Sequence, residues 1–312
     1  MRILITGSSG FVGSHLTEYL LGAGAEVFGI ARKRCAAAAG VVLPGSILDI
    51  DFLRQAVLQA SPTRVFHCAA ALPGGNDAKL VYETNVIGTS NLFAALAAEG
   101  SQAVIVIAGS SAVYGRPESL PVTEDHPFDP LTDYGASKVE QEMVARSHFL
   151  SHGTSIVVAR TFNLIGPRQS PSLVASGLAQ QIALAERGGP AIIRVGNLDA
   201  RRDYTDVRDA VRAFALLADH GVPGSVYNVC SGVSRSVREA LDILMAEGRV
   251  QVTVEVDRER LKESEVDDQR GSFERLRYAT GWEPVIGFEQ SLRDLLNDWR
   301  SRMERGIVDE LE

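Results

Sequence analysis

Short apolar runs alternate with helix-length amphipathic stretches from the first residues of the chain. Residues 2–6, 26–31, 41–43, 64–70, 103–108 and 155–160 form the runs. Most are rich in valine and isoleucine and apolar at consecutive positions, the pattern of strands buried on both faces. Between them, residues 11–21, 49–59, 80–99 and 134–151 have helical length and spacing. Strand alternating with helix predicts an α/β protein built on a doubly wound parallel sheet. Past Gly166 the rhythm loosens, as Pro167, Pro171 and Pro190 break up a helix near 173–187 and a strand at 191–195. A helix near 206–219 and a strand at 226–230 return to the main sheet. A helix at 237–247, a strand at 250–256 and a helix at 288–302 follow. The expected division is a large domain of residues 1–165 plus 201–231 and a smaller C-terminal lobe of 166–200 plus 232–312.

Composition narrows the function classes. With 312 residues, 45% apolar and 22% charged, the chain can bury a sizeable core, which sets aside disorder and coiled coil. No apolar run reaches the roughly 18 residues of a membrane span, so no membrane partner is expected. The N-terminus enters a strand at once and lacks a signal-peptide pattern, which places the protein in the cytoplasm. A net charge of -8 argues against nucleic acid as a partner. Cys35, Cys68 and Cys230 are far apart and lack a C-x-x-C spacing, as reduced thiols do, and no metal-binding spacing occurs. His67, at a strand end, reads as a satisfied core residue and not as a ligand.

The first chemistry lies in the first turn. A strand runs directly into Gly7-Ser8-Ser9-Gly10-Phe11-Val12-Gly13, after which a helix begins. Glycines let the backbone approach a pyrophosphate, and the helix start offers free N–H groups and positive dipole. The spacing is G-x-x-G-x-x-G, and its place between first strand and first helix makes it a nucleotide site, with Gly7, Gly10, Phe11, Val12 and Gly13 as contacts. At the end of the second strand stand Arg32, Lys33 and Arg34, with no acid. Cations there suit a ribose 2′-phosphate, which favours NADP(H) over NAD(H) as the cofactor.

Tyr134 and Lys138 lie four residues apart at the head of a predicted helix and therefore on one face. A neighbouring ammonium favours phenolate and is expected to lower the tyrosine pKa. The pair can protonate a carbonyl oxygen while hydride arrives, or deprotonate an alcohol in reverse. Seven tyrosines and four lysines in the whole chain make such a spacing unusual by chance. Ser110 and Ser111 follow the fifth strand, at the sheet edge where ligands of such folds bind. Ser110 completes a catalytic set with Tyr134 and Lys138.

These motifs together resemble the extended short-chain dehydrogenase/reductase family, in particular its nucleotide-sugar epimerases, dehydratases and reductases. The matching residues are TGSSGFVGSHL at 6–16, HCAA at 67–70, TNVIGT at 84–89, SSAVYG at 110–115, YGASK at 134–138, RTFNLIGP at 160–167 and RRDYTDVRDAV at 201–211. The resemblance implies a Rossmann-type sheet, a bound NAD(P), a Ser–Tyr–Lys triad and a homodimer through a helical bundle. It extends the cofactor contacts to Ile47, Ala69, Ala70, Asn85 and Phe162, beside Tyr134 and Lys138 themselves. For Asn85, a structural role bridging helices explains the motif nearly as well. The aspartate that commonly faces the adenine aligns with Ser46, so that contact is not carried over.

Within the family, dehydratases need an acid–base pair directly after the catalytic serine or threonine. Here those positions are Ser111 and Ala112, and alanine carries no proton. The runs at 193–209, 226–232, 261–266 and 280–284 are similar to bacterial reductases of GDP-4-keto-6-deoxy-D-mannose. That likeness implies NADPH-dependent reduction of the C4 ketone of a GDP-4-keto-6-deoxy-hexose, giving GDP-D-rhamnose. A nucleotide-diphosphate sugar is then the substrate, with Ser111, Asn163, Arg168, Arg202 and Lys262 as expected contacts. Lys262 stands where the group usually has arginine, and offers charge without a bidentate fork. Arg168 is open to a second reading as a solvated side chain. The alternative activity is an NDP-sugar 4-epimerase of the UDP-hexose type with tightly held NAD. A non-catalytic cofactor-sensing binder is the third reading.

Overall fold

The computed structural model describes residues 1–32, 40–72, 77–258 and 266–306. Its first half is a regular alternation: β1 (Arg2–Thr6), α1 (Phe11–Gly22), β2 (Glu26–Ala31), β3 (Val41–Pro44), α2 (Ile50–Ala60), β4 (Arg64–His67) and α3 (Ala78–Tyr82). A π-helical turn (Glu83–Ile87) joins α3 to α4 (Gly88–Ala98), and β5 (Val104–Ser110) follows. A 3-10 turn (Ser111–Tyr114) leads towards α5 (Asp133–His152), β6 (Ile156–Thr161) and β7 (Asn163–Ile165). The second half holds α6 (Val174–Glu186), β8 (Ile192–Val195), β9 (Arg201–Asp206), α7 (Val207–His220), β10 (Val226–Val229) and β11 (Ser234–Ser236). It ends with α8 (Val237–Glu247), β12 (Thr253–Val256), β13 (Asp268–Gln269), α9 (Glu274–Thr280) and α10 (Phe288–Glu304).

The central sheet has the order β3-β2-β1-β4-β5-β6-β10, parallel throughout, with the chain reversing direction beside β1. That is the Rossmann-type α/β arrangement, in which ligands bind beyond the carboxyl ends of the strands. Strand periodicity divides the core. Ile3 and Ile5 of β1 face one layer with Leu16 of α1 and Phe214 of α7, whereas Leu4 faces the other with Leu53 of α2 and Leu92 of α4. A separate apolar cluster gathers α6, α8 and α10, with Trp299 its largest buried side chain. Between the two lies a small sheet of β11-β9-β13, with β7 also pairing β9. Residues of α9 and Trp282 pack back on the α1/α7 layer.

Several elements differ from expectation. The single helix expected over 80–99 is three segments, because the π turn carries the chain through an extra residue and turns Asn85 inward. Strand pairing of β4 ends at His67, and 68–70 continue as a loop. Ser110 is the last residue of β5, not the first beyond it. The polar strand β9 went unseen in the hydrophobic pattern, since its sequence is RRDYTD. Among the described residues, no helix is long and apolar enough to cross a membrane.

Candidate active site

The glycine turn after β1 is shaped by close backbone approaches. Gly7 sits at φ +70, and its N–H donates to the Ile30 carbonyl at 2.9 Å. A Cβ on Gly13 would lie 2.1 Å from the Gly7 carbonyl oxygen, and one on Gly7 2.7 Å from the Ala69 nitrogen. Gly10 starts α1 without any side-chain cap, so the helix presents its first N–H groups around Phe11 and Val12. Uncapped donors, positive dipole and a wall free of side chains fit a dinucleotide pyrophosphate. Arg32 is exposed at the end of β2. Lys33, Arg34 and Lys262 lie outside the described residues, as does Cys35.

The other expected cofactor contacts divide into two sets. Ala69 and Ala70 are accessible beyond β4, with the Ala69 N–H donating to Thr6 Oγ1 at 3.2 Å. Ile47 is buried, and a Cβ on Gly88 would meet its Cδ1 at 2.4 Å. Phe162 is buried in a cluster with Tyr114 and Cys230, against Gly271. Asn85 is fully buried: its Oδ1 accepts from the Ala71 N–H at 2.8 Å, and its Nδ2 donates to Ser137 Oγ at 2.9 Å. It therefore clasps the loop after β4 to α5, the bridging role.

Ser110, Tyr134 and Lys138 converge at the carboxyl edge of the sheet. Thr132 caps α5, accepting from the Gly135 N–H at 3.1 Å, and so begins the helix just before Tyr134. Gly135 lets α5 approach the 3-10 turn, since a Cβ there would be 2.7 Å from the Ala112 carbonyl. The Tyr134 phenol shares a hydrogen bond with Ser110, and Ser110 Oγ also accepts from the Ala112 N–H at 3.2 Å. Lys138 lies one helical turn further on, 2% exposed, with Nζ 5.8 Å from the Tyr134 ring centre. Its ammonium donates to the Ala108 carbonyl and to Gln141 Oε1, both at 3.0 Å.

Burial governs the protonation states here. Tyr134 is half-exposed at its surface yet crowded by protein atoms, and burial raises its pKa against the opposing hydrogen bond from Ser110. The lowering expected from Lys138 is therefore not the net direction. Burial likewise pushes Lys138 down to about 8, opposed by the nearby carboxylate of Glu142. At neutral pH the pair is a phenol beside an ammonium, the protonated form of both.

The expected substrate contacts are scattered more widely. Ser111 is buried, with Oγ 3.4 Å from Gln269 Oε1, and Gln269 Nε2 donates to the Ser111 carbonyl at 3.2 Å. Gln269, from β13, is a neighbour that no local motif signals, being 158 residues away in sequence. Asn163 is exposed at the start of β7, in register with Tyr204. Arg202 is half-buried and donates to the carbonyls of Arg201 and Val266 at 2.7 and 2.8 Å. The Arg168 guanidinium pairs with Glu18 of α1, and its N–H donates to Asp298 Oδ2 at 2.7 Å. His67 is a satisfied core residue, bonded to Thr6 and Thr89.

A family model described as GDP-mannose 4,6 dehydratase matches residues 4–295. The GDP-6-deoxy-D-mannose reductase of Pseudomonas aeruginosa is 35% identical, over 97% of this chain and 98% of its own length. The structure of RMD from Pseudomonas aeruginosa complexed with NADPH superposes with a TM-score of 0.87 at 34% identity, covering 97% of this chain and 100% of that one. Thermus thermophilus UDP-glucose 4-epimerase, in complex with NAD, gives a TM-score of 0.84 at 28% identity, over 96% of this chain and 99% of that chain.

Proposed function

Since this chain belongs to the GDP-mannose 4,6 dehydratase family of nicotinamide-dependent nucleotide-sugar enzymes, we propose that it reduces the C4 ketone of a GDP-4-keto-6-deoxy-hexose with NADPH. The observation that carries the reading is the Tyr134–Ser110 hydrogen bond above a buried ammonium, beside Ala112, where no side chain can serve as an extra acid. A bound reduced nicotinamide supplies the hydride. Ser110 then donates a hydrogen bond to the ketone oxygen as negative charge grows on it. Tyr134, kept as a phenol by burial, gives that oxygen its proton, leaving an alcohol and a phenolate. Lys138 stabilises the phenolate through its charge and returns the tyrosine towards its protonated state.

The glycine turn with Phe11 and Val12 would hold the pyrophosphate, and Ala69 and Ala70 would line the cofactor's path. Arg32, exposed at the end of β2, supports NADPH over NADH through a 2′-phosphate. Residues 1–165 plus 201–231 serve the cofactor in this reading, and 166–200 plus 232–312 the nucleotide sugar, with the β9 sheet straddling both. Ser111, Asn163 and Arg202 are the substrate contacts it keeps, with Lys262 as a further cation. Arg168 contributes by tying α1 to α10 through Glu18 and Asp298. Exposed Met143 and Leu150 on α5, with Leu80 and Ile87 nearby, support pairing into a homodimer. The free thiols Cys68 and Cys230 suit a cytoplasmic setting.

The test is oxidation of NADPH by purified protein in the presence of GDP-4-keto-6-deoxymannose, followed at 340 nm. Turnover is expected with NADPH in preference to NADH, and Tyr134→Phe should lower kcat by about 10²–10⁴-fold. No loss of absorbance would overturn the reading. Conversion of UDP-hexoses without added cofactor would favour an epimerase, and full turnover by Tyr134→Phe would remove the proposed acid.

A further inference from the structure

Beneath the Tyr134–Lys138 pair runs an unbroken chain of buried polar contacts that joins α5 to the first strand. Lys138 Nζ donates to Gln141 Oε1 at 3.0 Å. The Gln141 amide nitrogen donates in turn to the Asn85 carbonyl at 3.2 Å and to Thr89 Oγ1 at 2.8 Å. Thr89 Oγ1 donates to the same carbonyl at 2.6 Å and meets His67 Nε2 at 2.8 Å. His67 Nδ1 lies 2.7 Å from Thr6 Oγ1, which accepts from the Ala69 N–H at 3.2 Å. Gln141, Thr89, His67 and Thr6 are all buried to within 1% of complete.

Donor counting leaves one assignment. The Asn85 carbonyl is an acceptor only, so the Gln141 nitrogen must face it and the Gln141 oxygen must face Lys138. Thr89 spends its proton on the same carbonyl, so its oxygen accepts from both Gln141 and His67. That requires N–H at His67 Nε2 and a bare Nδ1, to which Thr6 donates. Every group is then satisfied, with His67 neutral.

We propose that Gln141 is a positioning residue for Lys138, its amide locked by the Thr89–His67–Thr6 chain so that its oxygen holds the ammonium under Tyr134. A buried ammonium needs acceptors, and Lys138 has two within the protein, the Ala108 carbonyl and this amide. The carbonyl is fixed by the sheet, whereas the amide is held only by the chain behind it. The charged and titratable groups around the ammonium are Tyr134 and Glu142 on its own helix, His67 at the end of β4 and Cys68 just after it. Glu142 is engaged by Arg160 of β6 at 2.7 Å, and Arg160 also reaches Tyr114. Gln141 is thus the uncharged contact through which the ammonium can be tuned without disturbing that ion pair.

Only the kinetic part of the test rests on the function proposed above. The chain has four lysines, so ¹³Cε-lysine labelling with a Lys138→Met variant for assignment lets the Lys138 titration be read directly in the full protein. Gln141→Leu is expected to move that midpoint down by about one pH unit, because the charged form loses an acceptor. Gln141→Glu, which keeps the acceptor and adds negative charge, should move it up. Thr89→Val should follow Gln141→Leu, and Thr89→Ser should restore the midpoint, which covers the case in which Gln141→Leu does not fold. The alkaline limb of kcat should shift in the same directions, with the KM for the sugar nucleotide unchanged. Midpoints coinciding with wild type in Gln141→Leu, Gln141→Glu and Thr89→Val, or shifts of one sign for Leu and Glu, overturn the proposal. Shifted midpoints in a protein without ketone reductase activity would leave Gln141 in place and remove the reductase reading instead.

Discussion

Burial drives ionisable groups towards their neutral forms, and around Tyr134 this decides which side chains can move protons. The phenol is raised, the Lys138 ammonium is lowered to about 8, and the Cys68 thiol is raised to about 12. Cys68 is therefore an inert thiol beside the site at any ordinary pH. His67 shows the same force most strongly, lowered from 6.5 to about 3. Between those values the unfolded chain binds a proton that the folded chain refuses, so stability falls as pH drops through this window. The full effect is on the order of 4–5 kcal/mol. Replacing His67 by Gln should flatten the pH dependence of the urea midpoint between about pH 7 and about pH 4. A slope equal to that of the wild type would mean that His67 is not buried neutral. The residue types of this site were legible in sequence because Tyr-x-x-x-Lys is local. The direction of the tyrosine shift was not, because it depends on how much protein surrounds the ring.

At the scale of elements, the turn between β1 and α1 is the most tightly determined piece of backbone. Gly13 has no room for a methyl group, whereas Gly22 at the end of α1 has nothing within 4 Å of its Cβ position. Gly13→Ala should cost about 1–3 kcal/mol and weaken NADPH binding at least about tenfold in a fluorescence titration. Gly22→Ala should be neutral or raise stability by up to about 1 kcal/mol. Equal NADPH affinity in both variants would contradict the proposed pyrophosphate cradle. The π turn makes the opposite point. Residues 80–99 read as one amphipathic helix, and only the packing of Asn85 against Ala71 and Ser137 breaks that regularity.

Across the whole molecule, segments distant in sequence meet at a buried carboxylate. Asp203 of β9 accepts from the Ser231 N–H at 2.7 Å, the Ser231 hydroxyl at 2.6 Å, the Gly232 N–H at 2.9 Å and the Gly271 N–H at 3.1 Å. Two stretches of chain far apart in sequence, 231–232 and 271, are thereby held to one side chain of β9. Asp203→Ala would strand these donors and should cost about 3 kcal/mol or more in urea unfolding, with Asp203→Asn costing less because one acceptor remains. Equal losses for the two variants would mean that the carboxylate acts through packing alone.

The sequence by itself determined the central sheet, the glycine turn, the Tyr134–Lys138 pair and the family, because each is written in runs of a few neighbouring residues. Their chemistry follows from spacing within one strand, one turn or one helical face. Tertiary structure alone decided that Gln269 meets Ser111, that Arg168 turns to Glu18, and that Thr89 and His67 stand behind Gln141. Those contacts join segments up to 158 residues apart, and nothing in a local pattern records which buried polar groups must find each other once water is excluded.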